Sequence, residues 1–338
     1  MANDIESFGI ENSLFPNNTV SCIGGREENQ DSTTILETRR GLLVLVCDGM
    51  GGMAGGATAS ATAVNVISEY VSRPESEDDI DDDNRMTLIK AISEANSRLL
   101  QMEAEEPALS GMGTTVTALL INEEKATVAY VGDSRIYQIR RGRKVFRTFD
   151  HSMVFEMVRK KIITEEQARL SAQSNIILRA LGQKPEIEVD AFDLPYDKGD
   201  LFLLCSDGIW GTLPEKELLR RLSTGKHPKV LTETLAMNIH NDAIRSGGGH
   251  DNLTAAMVRT TKDSKLRTKM EDKIKIALLS SLVLLLVSIT CNIVLGYKLN
   301  KSAAKVVQLQ EQIDKIQNPQ QEAQPSDADA ANEENKAQ

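Results

Sequence analysis

Residues 42–49 read LLVLVCDG, residues 127–135 read TVAYVGDSR, and residues 201–208 read LFLLCSDG. Each is a short apolar run that ends on an aspartate with a glycine beside it: Asp48 with Gly49, Asp133 with Gly132, Asp207 with Gly208. Their length and β-branching read as buried strands, not helices. The strands expected are Leu42–Cys47, Thr115–Ile121, Thr127–Val131, Leu201–Cys205 and Leu253–Val258. A fourth acid, Asp251, stands in GGGHDNLT just before the last of these. A single strand-end Asp is ordinarily a turn former, because its side chain bonds the backbone beyond it and Gly accepts positive φ. The same punctuation after three buried strands points to a common purpose.

Strands of one sheet can gather such ends although they are far apart in the chain. Carboxylates a few ångströms apart raise one another's pKa and call for a counter-charge. An all-oxygen set without His or Cys suits a hard divalent ion, Mg2+ or Mn2+, over zinc. Two such ions about 3.5–4 Å apart can activate a water and stabilise in-line displacement at phosphorus. Arg26, in GGREENQD, offers a planar cation able to hold two phosphate oxygens. Taken alone, an Arg beside two Glu reads as a surface ion pair.

The rest of the chain fits one large α and β domain with an appendage. Apolar residues make up 41% of the 338, enough for a sizeable core. With 39 basic against 49 acidic residues the net charge is −10, which argues against nucleic-acid binding. Cys22, Cys47, Cys205 and Cys291 show no paired metal or disulfide spacing, so a reducing compartment fits. Leu88, Ile92, Ala95, Leu99 and Met102 mark one amphipathic helix, and Thr58–Val71, Glu215–Leu222 and Val230–Ile244 mark others. The acidic stretch Glu75–Asp83 reads as a solvated loop.

From Ile276 to Tyr297 runs IALLSSLVLLLVSITCNIVLGY, 22 residues without a charge. As a helix it would span about 33 Å, enough to cross a bilayer. Six basic residues precede it (Lys262, Lys265, Arg267, Lys269, Lys273, Lys275) and three follow (Lys298, Lys301, Lys305), which puts the N-terminal domain on the cytoplasmic side. Val306, Leu309, Ile313 and Ile316 then share a helical stripe, too short for a sure coiled coil. The tail from about Asn318 has the composition of disorder.

Eight segments, in order, resemble the PPM (protein phosphatase 2C-type) family, bacterial members in particular. They are REENQD (26–31), DGMGG (48–52), MGTT (112–115), VGDSR (131–135), DHS (150–152), NIILRALG (175–182), LCSDG (204–208) and GGHDNLT (248–254). The resemblance implies a fold of two antiparallel β-sheets packed as a sandwich flanked by helices (α/β/β/α), to which the apolar run at 276–297 would add one C-terminal transmembrane helix. It implies that Asp48 bridges two ions, that the Gly49 carbonyl ligates one, and that Asp207 and Asp251 complete the other. Asp31 would act through water, Asp133 with Asp207 would match a third, weaker metal position, and Arg26 would hold the substrate phosphate. Asn252 would position the turn carrying Asp251. Residues Met153–Ser174 would form a flap beside the site. The chain departs from the family at Met50 and Met53, where a histidine is common, at Gly56, where glutamate is frequent, and at Ser171–Ser174, where a His-Pro pair is usual. The general acid is therefore unassigned. His151 is expected in a hydrogen-bonded turn and His250 beside its acid, neither as a catalytic group.

The expected layout is an N-terminal extension (1–14), a catalytic domain (15–260), a basic juxtamembrane linker (261–275), a membrane span (276–297), a helical stalk (298–317) and a disordered tail (318–338). The expected activity is hydrolysis of phosphoserine and phosphothreonine by water activated between two Mg/Mn ions, at the cell membrane with the catalytic domain cytoplasmic. Phosphoproteins, a membrane Ser/Thr kinase among them, are the expected partners, and the chain is expected as a monomer or weak dimer. Rival readings are a pseudophosphatase scaffold, a phosphatase dedicated to one regulatory protein, and a membrane-bound cation sensor.

Overall fold

A computed structural model describes residues 5–51, 55–74, 83–247 and 249–317. Met53, the tail and all but Asp83 of the acidic stretch lie outside the described residues. The chain divides into two units, Met1–Met270 and Glu271–Gln338.

The first unit holds two antiparallel sheets. One runs in the order β1 (Ile5–Phe8), β2 (Asn17–Cys22), β12 (Leu253–Arg259), β11 (Leu201–Cys205), β8 (Arg135–Arg140), β9 (Arg143–Arg147). The other runs β10 (Asp190–Leu194), β7 (Ala126–Val131), β6 (Val116–Ile121), β4 (Gly41–Met50), β3 (Asp31–Thr38), with the short β5 (Gly113–Thr114) added to the end of β4. Residues 5–8, expected within an extension ahead of the domain, are instead its edge strand, paired with β2 from Ile5 opposite Cys22 to Phe8 opposite Thr19.

The alternation of β4 explains the layers. Successive side chains point to opposite faces, so Leu42, Val44 and Val46 enter the core between the sheets with Phe202, Leu204, Ala256 and Val258. Leu43, Leu45 and Cys47 face outward under α1 (Gly55–Ser72) and α2 (Asn84–Glu105), against Ala63, Ile67, Leu88, Ile92 and Leu99. A strand covered on both faces reads as an unbroken apolar run. The other sheet is capped likewise by α5 (Asp207–Trp210), α6 (Glu215–Leu222) and α7 (Pro228–Arg245), whose Leu231, Leu235 and Ile239 pack with Val20, Leu203 and Cys205. Each such side chain, fully buried, contributes about 1.5–3 kcal/mol.

Asp83, at the end of the stretch read as a solvated loop, caps α2 by accepting from the Met86 amide at 3.0 Å. The flap expected at Met153–Ser174 contains α3 (Met153–Arg159) and α4 (Glu165–Arg169), the latter opened by a Thr164/Gln167 capping box. Val154, Phe155 and Ala168 give it a small core of its own.

The final helix, α8 (Lys265–Gln317), is continuous for 53 residues, so linker, span and stalk are one element from Lys265 onward. None of its residues is buried. Its apolar stretch is long and apolar enough to be a candidate membrane span. A core-helix reading of this segment fails on that exposure.

Candidate active site

The alternation that fills the inter-sheet core also builds the site. Asp48 continues the inward series Leu42, Val44, Val46, and it is register partner to Asp31 on β3. Ser206 follows Phe202 and Leu204 of β11 in the same parity, and Thr254 precedes Ala256 and Val258 of β12. At one end of the sandwich the apolar stripe thus gives way to acids and hydroxyls.

Asp31 and Asp133 are buried, whereas Asp48, Asp207 and Asp251 keep partial access to solvent. Their mutual repulsion marks them as one group, an acidic cup at the end of the sandwich. Burial, then the charges of Asp31, Asp207, Asp133 and Asp251, hold Asp48 well above the usual carboxylate range. Burial lifts Asp31 to about 7 against hydrogen bonds from Thr254 and Ser206, with Asp207 and Asp251 adding repulsion. Burial and Asp251 push Asp207 to about 6, opposed by Arg26, and Asp207 lies within hydrogen-bond reach of Asp48. Asp133 is raised by burial, then by Asp207 and Asp150, in spite of Arg135. Five acids from β3, β4, the β7–β8 turn, α5 and the turn before β12 therefore share one electrostatic environment.

The cup is rigidly framed. Thr115 Oγ1 accepts from the Asp48 amide at 3.0 Å, while the Thr115 amide and Thr114 hydroxyl donate to the Asp48 carbonyl at 2.8 and 2.9 Å. Thr115 Oγ1 also meets Ser134 Oγ at 2.8 Å, joining the MGTT and VGDSR segments. Ser206 Oγ donates to Asp31 Oδ2 at 2.8 Å. Two glycines permit close backbone approach: a Cβ on Gly49 would lie 2.1 Å from the Gly56 carbonyl oxygen, and one on Gly208 would lie 2.1 Å from that of Asn252. Gly56, where a glutamate is frequent, itself packs so tightly that a Cβ would come within 2.6 Å of Gln30 Oε1.

Arg26 and Asp251 meet at the rim, Nη2 donating to Oδ2 at 2.5 Å. Asn252 does more than position its neighbour. It accepts from the Gln30 amide at 2.9 Å and donates to the Ile23 and Glu28 carbonyls at 2.9 Å each, which fixes the loop that carries Arg26.

His151 is a turn residue, as expected. Its Nδ1 accepts from the Gly132 amide at 3.1 Å, its Nε2 meets Asp190, and its ring stacks on Tyr130 at 4.9 Å between centroids. The acid before it, Asp150, takes a two-pronged ion pair from Arg135 at 2.8 and 2.7 Å, both side chains buried. The Arg135 guanidinium also lies 3.8 Å from the Trp210 ring centre. Arg135 and Asp150 thus join β8 to the entry of the flap, a role that their motifs alone did not suggest. The hydroxyl collar of Thr115, Ser134, Ser206 and Thr254 was missed as well; for Thr115, Ser206 and Thr254 the signal was a polar residue at the inward parity of an apolar strand.

The residues fit hard cations. Among the described residues, Asp31 Oδ1 and Asp133 Oδ1 are buried with no hydrogen-bond partner. Buried acceptors are seldom left so, and an ion is a standard resolution. The donor set is oxygen throughout, as Mg2+ or Mn2+ requires.

The chain is also similar to known proteins. The family model for protein phosphatase 2C matches residues 20–271. The serine/threonine phosphatase Stp of Listeria innocua is 35% identical over 237 residues, which is 69% of this chain and 90% of that protein. The solved serine/threonine phosphatase of S. agalactiae superposes with a TM-score of 0.64 at 30% identity, over 73% of this chain and 99% of its own. The catalytic domain of the phosphatase PstP, solved in complex with two manganese ions, gives 0.60 at 28% identity, over 73% of this chain and 99% of its own. With its sandwich, its end-of-sheet acids and a match across three quarters of its length, the chain belongs to the protein phosphatase 2C family and is a serine/threonine protein phosphatase of the bacterial type.

Proposed function

We propose that the chain hydrolyses phosphoserine and phosphothreonine in proteins by direct attack of water, with two Mn2+ or Mg2+ ions seated in the acidic cup. Asp48 would bridge both ions, the Gly49 carbonyl would ligate one, and Asp207 and Asp251 would hold the other. Asp31 would act through bound water, and Asp133 with Asp207 would form a third, weaker position. Bound there, the ions supply charge neutralisation and activation of the attacking water.

The protein's own part is to prepare this arrangement. The Thr114 and Thr115 hydrogen bonds fix the Asp48 backbone, and Ser206 orients Asp31 so that one oxygen stays available. Arg26 reaches the rim on a loop clamped by Asn252, where its fork can grip two oxygens of the ester. With Asp251 committed to a cation, the Arg26 guanidinium that now bonds it would be available to substrate. Phosphate-monoester hydrolysis is so slow unaided that charge stabilisation must supply most of the acceleration. Retention of all five acids and Arg26 counts against a scaffold or a sensor without chemistry.

The observation that carries this reading is the pair of unpartnered buried oxygens on Asp31 and Asp133 among acids already pressed above their usual range. The test is phosphate release from a phosphopeptide by the full chain with manganese, magnesium or chelator. Turnover restored by manganese supports it; turnover indifferent to chelator contradicts it.

The reading extends to location. The fully exposed apolar stretch of α8 supports a membrane anchor at 276–297, with the basic residues before it favouring a cytoplasmic catalytic domain. Alkaline carbonate extraction that released the full chain from membranes would contradict the anchor. Proteins phosphorylated at that surface, a Ser/Thr kinase included, are the proposed substrates; phosphoproteomes unchanged by loss of the protein would exclude them.

A further inference from the structure

Behind the rim lies a second cluster of a different chemistry. Cys22 closes β2, His240 projects from α7, and His250 precedes Asp251. One ligand atom from each lies within 4.8 Å of the others. Cys22 is buried and the two imidazoles are half-buried.

The histidines are arranged as ligands are. His250 Nδ1 lies 2.6 Å from the Asp251 carbonyl oxygen, which can only accept, so Nδ1 carries the proton and Nε2 of the neutral ring presents a lone pair. That carbonyl contact is the partner a metal-bound imidazole usually has on its far nitrogen. His250 Nε2 in turn lies 3.1 Å from His240 Nδ1, with the rings at 84° to each other. A tetrahedral ion with Zn–N bonds of 2.0–2.1 Å separates its nitrogen ligands by roughly 3.3 Å. Gly24, at φ +67°, lets the chain pass against the ring, since a Cβ there would sit 2.7 Å from His250 Nδ1.

We propose that Cys22, His240 and His250 form a site for a borderline-soft divalent cation of the zinc class, distinct from the hard-ion cup. One thiolate and two imidazoles are the donor set such an ion selects, while Mg2+ and Mn2+ prefer oxygen. Three protein ligands leave a fourth position for water. The ion clamps three elements: β2, α7 and the turn carrying Asp251. Because the His250 carbonyl also accepts from the Gly25 amide at 2.8 Å, the clamp extends to the residue before Arg26. The site thus braces, from behind, the loop and turn whose Arg26 and Asp251 meet at the rim.

The test uses the full-length protein in detergent, stripped of metal, then given excess manganese and one equivalent of cobalt as a coloured substitute for zinc. The expected result is a thiolate-to-cobalt charge-transfer band that zinc displaces, since the cup offers no sulfur ligand. Cys22→Ala should abolish the band. His240→Gln, at a half-buried helix position, should weaken cobalt binding by at least ~10-fold. Asp48→Asn should leave the band intact, so failure of this site and failure of the cup are told apart. Absence of the band in the unaltered protein, its persistence in Cys22→Ala, or unchanged affinity in His240→Gln would overturn the proposal.

Discussion

Asp31 and Asp48 sit directly opposite one another on β3 and β4, two acids of one sheet on the same inward face. Like charges so placed destabilise a strand pair, and here burial removes the water that would screen them. The pair makes sense as a ligand set held ready at the expense of the metal-free fold.

That relationship predicts a trade-off. In chelator, Asp31→Asn should be more stable than the unaltered protein by about 1 kcal/mol, within the range typical of such relief. With manganese the same variant should lose most phosphopeptide hydrolysis. Denaturant melts and initial rates on one preparation check both halves.

The metal-free protein should also lose stability as pH rises. Asp31 titrates at about 7 in the fold against 3.8 when unperturbed. Between those values the folded state binds more protons than the unfolded state, so stability falls with rising pH, and the Asp31 contribution is complete above the upper value. Asp207, raised to about 6, acts in the same sense. Denaturation midpoints in chelator from about pH 4 to pH 8 should decline, and Asp31→Asn should flatten the slope.

Gly208→Ala should cost about 3 kcal/mol or more, because its new Cβ would meet backbone, the Asn252 carbonyl oxygen at 2.1 Å, rather than a side chain that can move. Gly49→Ala should behave alike. Soluble yield and thermal melts provide the check.

Asn252→Ala removes three side-chain hydrogen bonds to the Arg26 loop, at Gln30, Ile23 and Glu28. At about 1 kcal/mol for each, the loss should be about 2–3 kcal/mol of stability. Since Arg26 would lose its fixed approach, KM for phosphopeptide should rise as well. Adding Arg26→Ala to Asn252→Ala should then raise KM by less than Arg26→Ala alone does.

Much of this architecture is legible in the chain, for a physical reason. β4, β6, β7, β11 and β12 are covered on both faces, so their sequences are continuous apolar runs. Two of the strands that escaped, β2 and β8, are polar although buried. β2 reads NNTVSC and is buried throughout, because Asn18 donates to Thr232, Thr19 meets Thr33, and Ser21 meets Thr254. β8 reads RIYQIR, and its Arg135 and Gln138 are satisfied by Asp150 and Asp200. Such partners lie far away in sequence, so no local pattern announces them. The site divides in the same way. Asp48, Asp133 and Asp207 are visible because each follows an apolar run, whereas the hydroxyl collar and the Asn252 clamp acquire meaning only when the strands are side by side.

The most direct test of the acidic cup is a calorimetric titration of the chelator-stripped protein with manganese, run alongside Asp48→Asn. Two ions should bind the unaltered protein in the cup, and the variant, deprived of the shared carboxylate, should bind neither with comparable affinity. Manganese uptake that is the same in both proteins would contradict the account.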